Sequence, residues 1–137
     1  MTPAAPTGPT APTGPTAPTG PTAPTGPTGP TVPRVLTVLT TVDSADAADA
    51  LARGAVAQRL AACAQISSPV TSVYRWKGAV ETAQEWQVLF KTTEEGYPRL
   101  EAWLTAEHPY DTPEIIAAPV VHGSTGYLEW VSAEVAR

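Results

Sequence analysis

A proline stands at every third position from Pro3 to Pro33, and this spacing decides most of what the chain can build. Three residues make one turn of polyproline II, so these prolines line one edge of an extended, fully hydrated helix. From Ala5 the hexapeptide APTGPT runs four times to Thr28. Collagen is excluded, because glycine recurs every sixth residue over most of the tract and a triple helix needs it every third. The tract has no charged residue and almost no large apolar one. It cannot offset its own ordering entropy and reads as a disordered, semi-stiff tail over residues 1–33. Its composition suits a neutral spacer or an over-called start; binding to a proline-reading partner and threonine glycosylation are the other uses open to it.

Residues 34–137 are left to make a core, enough for one small domain. All the charge lies there, 8 Lys+Arg against 13 Asp+Glu for a net charge of -5. An acidic domain without a basic cluster attracts neither nucleic acid nor an anionic membrane. No apolar run approaches the ~20 residues of a membrane span. The N-terminus has no basic region followed by an apolar one, so no secretory signal is expected and the expected location is the cytoplasm. A single cysteine, Cys63, excludes an intramolecular disulfide framework and an all-cysteine metal site.

Within the domain, the apolar residues alternate between two periods. Arg34 to Val42 is β-branched, free of Gly and Pro, and predicts a buried strand. Asp43 can cap the helix that follows, expected over Asp46 to Ala62. There Ala48, Leu51, Ala52, Ala55, Val56 and Leu60 form one apolar arc. Arg59 falls inside that arc. It could snorkel near the helix C-terminus, pair with a carboxylate of another subunit, or await a ligand. Cys63 to Trp76 is extended, with Pro69 tolerable only at an edge or bulge. Lys77-Gly78-Ala79 turns the chain, and Glu85 to Thr93 alternates Trp86, Val88 and Phe90 against Glu85, Gln87 and Lys91, which predicts a long hairpin. A second helix is expected over Tyr97 to Glu107 with Pro98 in its first turn, a strand over Glu114 to Val121, and a last helix over Ser124 to Val135.

The order β-α-β-β-α-β plus a C-terminal helix is the split βαβ, or ferredoxin-like, α+β arrangement on an antiparallel sheet. Its two helices cover one face. Trp76, Trp86, Phe90 and Tyr74 on the hairpin are more aromatic surface than so small a domain can hide, so another copy of the chain is expected over the second face.

LTT at 39–41, RLAAC at 59–63, TSVYRWKG at 71–78, KTT at 91–93, HPYDTPE at 108–114 and YLEW at 127–130 together resemble the CutA family of divalent-cation tolerance proteins, in the correct order over about residues 35–132. The resemblance implies a very stable homotrimer of ferredoxin-like subunits, related in architecture to PII signalling proteins, with a role in the response to divalent metal ions. Some members of the family carry Cys where this chain has Thr40 and a second His where it has Glu107. With His108 that would make a copper-suited set; here Thr40, Glu107 and His108 imply a harder, weaker site for copper or zinc.

On the residues alone, His108 ends a helix, where the dipole favours its proton, and Asp111 and Glu114 follow closely. A His with two oxygen donors suits a borderline divalent ion; alternatively the two acids order the loop. Cys63 reads as a small buried hydrophobe and His122 as a loop residue. No nucleophile elbow, P-loop or dinucleotide fingerprint is present, so a non-enzymatic protein is expected. The rival reading is a PII-like sensor that binds a small anion or nucleotide between subunits through Lys91, Arg75 and Arg59.

Overall fold

The computed structural model describes residues 34–137; the repeat of residues 1–33, with its expected disorder and proline-reading partner, lies outside the described residues. Strand β1 (Val35–Val42) has the expected place, and its even-numbered Val38, Thr40 and Val42 are buried. Helix α1 spans Ala45–Ala57 and differs from expectation at both ends. Its N-cap is Ser44, not Asp43: the Ser44 hydroxyl accepts from the Ala47 amide at 3.0 Å, while Asp43 stays exposed. The helix stops at Ala57 instead of Ala62 because Arg59 adopts a left-handed φ of 60°. Bonds from Arg59 N to Val56 O (3.0 Å) and from Leu60 N to Ala55 O (2.9 Å) close a Schellman motif, with arginine where glycine is usual. Leu60 is buried as the apolar residue after that motif, and Val56 turns outward.

The single extended run expected over Cys63 to Trp76 is two strands, β2 (Cys63–Ile66) and β3 (Val70–Trp76). Both lie along the same edge of β4 (Ala79–Thr93), which starts well before the expected Glu85. Ile66 faces Val88 and Val70 faces Glu85, so Ser67, Ser68 and Pro69 oppose only Trp86 and Gln87. That is a bulge, the setting in which Pro69 is tolerated. The Ser67 hydroxyl accepts from the Gln87 amide at 2.9 Å and keeps the break satisfied. At the hairpin tip Lys77 and Gly78 have φ of 50° and 83°, the paired positive values of a two-residue type I′ turn.

Helix α2 (Tyr97–Glu107) has the expected bounds, β5 is Ile116–Pro119, and α3 is Thr125–Glu134. The sheet is antiparallel in the order β2-β4-β1-β5, with β3 beyond β2 along β4. Helices α1 and α2 cover one face around Val38, Val88, Phe90, Leu100 and Leu104, all fully buried. The helices meet closely at Gly54, where a Cβ would lie 2.7 Å from the Trp103 ring. A second cluster, Val35, Ala62, Leu128, Val131 and Val135, seats α3.

The four aromatic residues expected to crowd the hairpin surface divide in two. Phe90 is in the main core and Trp86 packs against it, because the alternation of β4 points both toward the helices. Only Tyr74 and Trp76, 43% and 51% exposed, are left outside.

Candidate functional site

The chain leaves α2 at His108, whose amide still bonds to Leu104 O at 2.9 Å, and whose ring turns back into the end of β1. There Nε2 lies 3.0 Å from Thr40 Oγ1 and 2.9 Å from Thr41 O. The Tyr110 amide donates to Nδ1 at 3.1 Å, which puts the ring proton on Nε2. Burial lowers the His108 pKa below its ordinary value, opposed by the Thr41 carbonyl and by the charges of Glu85 and Asp43. The expected lift from the helix end is therefore outweighed by desolvation.

Tyr110 packs against His108 with ring centroids 4.8 Å apart and the rings tilted by 59°, and sends its hydroxyl to Glu85 Oε2 at 2.7 Å. Burial, then the bond and charge of Glu85, hold the Tyr110 hydroxyl well above the usual phenol range. A continuous path of contacts thus runs from β1 through His108 and Tyr110 to β4.

Of the three predicted metal ligands, the structure brings Thr40 and His108 together, as hydrogen-bond partners, and leaves Glu107 exposed. Neither nitrogen of His108 keeps a free lone pair: one accepts from Tyr110 and the other carries the proton. Among the described residues no three His, Cys, Asp or Glu side chains converge closely enough to hold a metal ion.

The predicted anion contacts are also apart. Arg59 is outside α1 and is exposed. Its guanidinium donates to Glu134 O (2.9 Å) and Ala133 O (2.7 Å), the open carbonyls of α3. It neither snorkels along the core nor waits free for a ligand. Lys91 bonds to Gln65 Oε1 at 3.1 Å and lies 3.9 Å from Cys63 Sγ. Arg75 is exposed on β3. Cys63 is half-buried beside the Tyr127 hydroxyl at 3.5 Å; burial, and after it the contact with Cys63, raises the Tyr127 pKa.

What the fold does assemble is an open cleft of ≈ 690 Å³ between the β3–β4 hairpin and the loop after α2. Asp43, Glu85, Asp111 and Glu114 line it together with Tyr74, Trp76 and Tyr110, and among the described residues no lysine or arginine does. Asp111 and Glu114 stand out in the sequence; Asp43 and Glu85 do not. Asp43 has the look of a helix cap, and Glu85 that of a solvent-facing strand residue. The YRW and HPY segments carry the one local signal, since each contributes an aromatic wall.

Comparison with known proteins places this architecture among relatives. The family described as CutA1 divalent ion tolerance protein matches residues 36–134. A Thermus thermophilus protein named divalent-cation tolerance protein CutA is 45% identical over 81 residues, 59% of this chain and 79% of that one. The solved structure of a divalent cation tolerance protein from Thermus thermophilus has a TM-score of 0.73 at 41% identity, over 74% of this chain and 99% of that one. A CutA from Archaeoglobus fulgidus, described as a periplasmic divalent cation tolerance protein, gives 0.72 at 30% identity over 74% and 99%.

Proposed function

Because the chain belongs to the CutA1 divalent ion tolerance protein family, we propose that it acts in the response to divalent metal ions as a non-enzymatic homotrimer that binds the ion weakly. The observation that carries the cation reading is the cleft, with four carboxylates and, among the described residues, no lysine or arginine around it. Carboxylate oxygens are hard donors, and spread around an open cleft they hold copper(II) or zinc loosely. The ion belongs with Asp111 and Glu114, not with His108, whose nitrogens are both engaged.

The trimer is supported by apolar side chains left on the hairpin and outer strand: Val73 and Val80 are 65% and 64% exposed, and Tyr74, Trp76 and Ile116 are exposed with them. A ferredoxin-like subunit is supported by the strand order, if β2 and β3 are taken as one bent strand. Among the described residues no helix is long and apolar enough to cross a membrane. A cytoplasmic location is compatible with that and with the lone thiol, although the Archaeoglobus relative is described as periplasmic. The anion-sensor reading has less behind it, since Arg59, Lys91 and Arg75 do not line the cleft.

Calorimetric titration of zinc and copper(II) into the full chain tests the metal reading. The expected result is micromolar or weaker binding that the double change Asp111→Asn, Glu114→Gln reduces at least tenfold and His108→Gln leaves in place. Loss of binding with His108→Gln alone would return the site to the histidine. Sedimentation at micromolar concentration should give three subunits of 14.2 kDa; a monomer refutes the trimer.

A further inference from the structure

Cys63 of β2 and Lys91 of β4 stand directly opposite each other in the antiparallel ladder. Residues so paired send their side chains to the same face of the sheet, about 5 Å apart at Cβ, so the register brings these two together whatever rotamers they adopt. The face is the one turned away from α1 and α2, since Val88 and Phe90 take the core side of β4. Lys91 Nζ turns back along the pair and donates to Cys63 Sγ at 3.9 Å and to Gln65 Oε1 at 3.1 Å. No carboxylate claims it: the ion pairs among the described residues are Arg34 with Glu94 and Arg53 with Asp49. From α3, Tyr127 brings its hydroxyl to 3.5 Å from the same sulfur, and its ring centroid lies 5.5 Å from that of Trp130.

A thiol and an amine in contact do not react with each other as they stand. Oxidation changes that, because a sulfenic acid is electrophilic at sulfur and condenses with a thiol or with a nitrogen. Cys63 is the single cysteine of the chain, so no second thiol within it is there to resolve a sulfenic acid. The group already in place is Lys91, and a lysine amine in its neutral form is a nucleophile toward such centres. Rotation about the flexible four-carbon stem of the lysine closes the remaining gap without moving either strand.

We propose that Cys63 and Lys91 form a reversible cross-link, a sulfenamide between Sγ and Nζ, when hydrogen peroxide oxidises the thiol. The peroxide gives one oxygen to sulfur and leaves as water, and Cys63 becomes the sulfenic acid. The neutral Lys91 amine then attacks sulfur; the S–O bond breaks, and the departing hydroxide takes a proton from the nitrogen and leaves as a second water. Sulfur has lost two electrons and the peroxide has gained them. Two molecules of an external thiol reverse the step: the first attacks sulfur and releases the amine, and the second reduces the mixed disulfide. The bond staples β2 to β4 beside α3 and shields the sulfur from further oxidation to sulfinic acid. It involves no residue of the carboxylate cleft, so it stands apart from the metal reading.

The test is treatment of the full chain with a small molar excess of hydrogen peroxide, followed by peptide mass mapping. The expected product joins the segments that hold Cys63 and Lys91 with a loss of about 2 Da, resists trypsin after Lys91, and reverts with dithiothreitol. Lys91→Arg keeps a cation on β4 and removes the amine. Its Cys63 should be trapped as sulfenic acid by dimedone at roughly ten times the wild-type yield and should go on to sulfinic acid, a gain of about 32 Da. Circular dichroism checks the fold, and Lys91→Gln serves in its place if Lys91→Arg does not fold. A wild-type Cys63 that stays a thiol or goes on to sulfinic acid overturns the inference. Equal dimedone labelling of wild type and Lys91→Arg, or a disulfide between two chains on a non-reducing gel, overturns it as well.

Discussion

Arg59 joins two opposed effects in one residue, and substitution separates them. Its backbone has a left-handed φ of 60°, which costs a residue with a Cβ roughly 1 kcal/mol relative to glycine. Its guanidinium closes the Ala133 and Glu134 carbonyls at 2.7 and 2.9 Å, and its own carbonyl accepts from the Ala136 amide at 2.8 Å. Hydrogen bonds to a charged group contribute about 1.5–3 kcal/mol when desolvated. These are solvent-exposed, so about 1–2 kcal/mol for the pair is the reasonable scale. Arg59→Ala removes the side-chain bonds and keeps the backbone strain, so it should lose that amount. Arg59→Gly loses the same bonds and releases the strain, and should be more stable than Arg59→Ala by about 1 kcal/mol. For a domain of this size, that is a gap of roughly 4–8 °C in melting temperature. Melting curves for the three proteins at one protein concentration measure both steps, since the midpoint of any protein that associates depends on concentration. Equal stability of wild type and Arg59→Ala refutes the clasp on α3. Arg59→Gly melting at or below Arg59→Ala refutes the strain.

Gly54→Ala should destabilise by about 1–3 kcal/mol despite the better helix propensity of alanine, because the new methyl meets the Trp103 ring at 2.7 Å; a urea midpoint above wild type would show that the ring moves aside freely. Gly78→Ala should cost about 1 kcal/mol, since φ of 83° strains any Cβ there, and Gly78→Asn should recover part of it in the same assay. His108 has a folded-state pKa below the ordinary 6.5, so on acidification the unfolded chain takes the proton first. The stability that neutral His108 allows is complete above about 6.5 and is lost as pH falls from there toward the lower folded value. His108→Asn should flatten urea stability between about pH 7 and 5, and an unchanged slope would remove His108 from the account.

Local signals in the sequence suffice where one stretch of chain decides its own structure. Pro98 in a first turn and the run to Glu107 give α2 its bounds, and the β-branched run from Val35 gives β1. They fail where the deciding contact is distant or runs against propensity. The arc of α1 continues through Leu60 on paper, because nothing about an arginine announces a left-handed backbone. That conformation persists because α3, 75 residues on, presents two open carbonyls to the side chain. The break between β2 and β3 is half-legible: Pro69 forbids a regular ladder, but the register that turns it into a bulge belongs to β4.

The site shows the same division. His108 stands out by its position at a helix end, and the chemistry expected of it does not follow from that position. Whether a histidine can ligate depends on what its two nitrogens already hold. Here one partner is two residues away and the other is 67 residues back, at Thr41. Glu85 is the converse case. Strand alternation alone sends it to solvent, yet Tyr110 reaches it across 25 residues at 2.7 Å and converts a surface carboxylate into a buried one. A cleft built from such pairs cannot be read from spacing, because each member has an ordinary local role: cap, strand polar face, loop. Its sign can still be read from what surrounds it, since a buried acid with no lysine or arginine among the described lining residues leaves a negative field in the cleft.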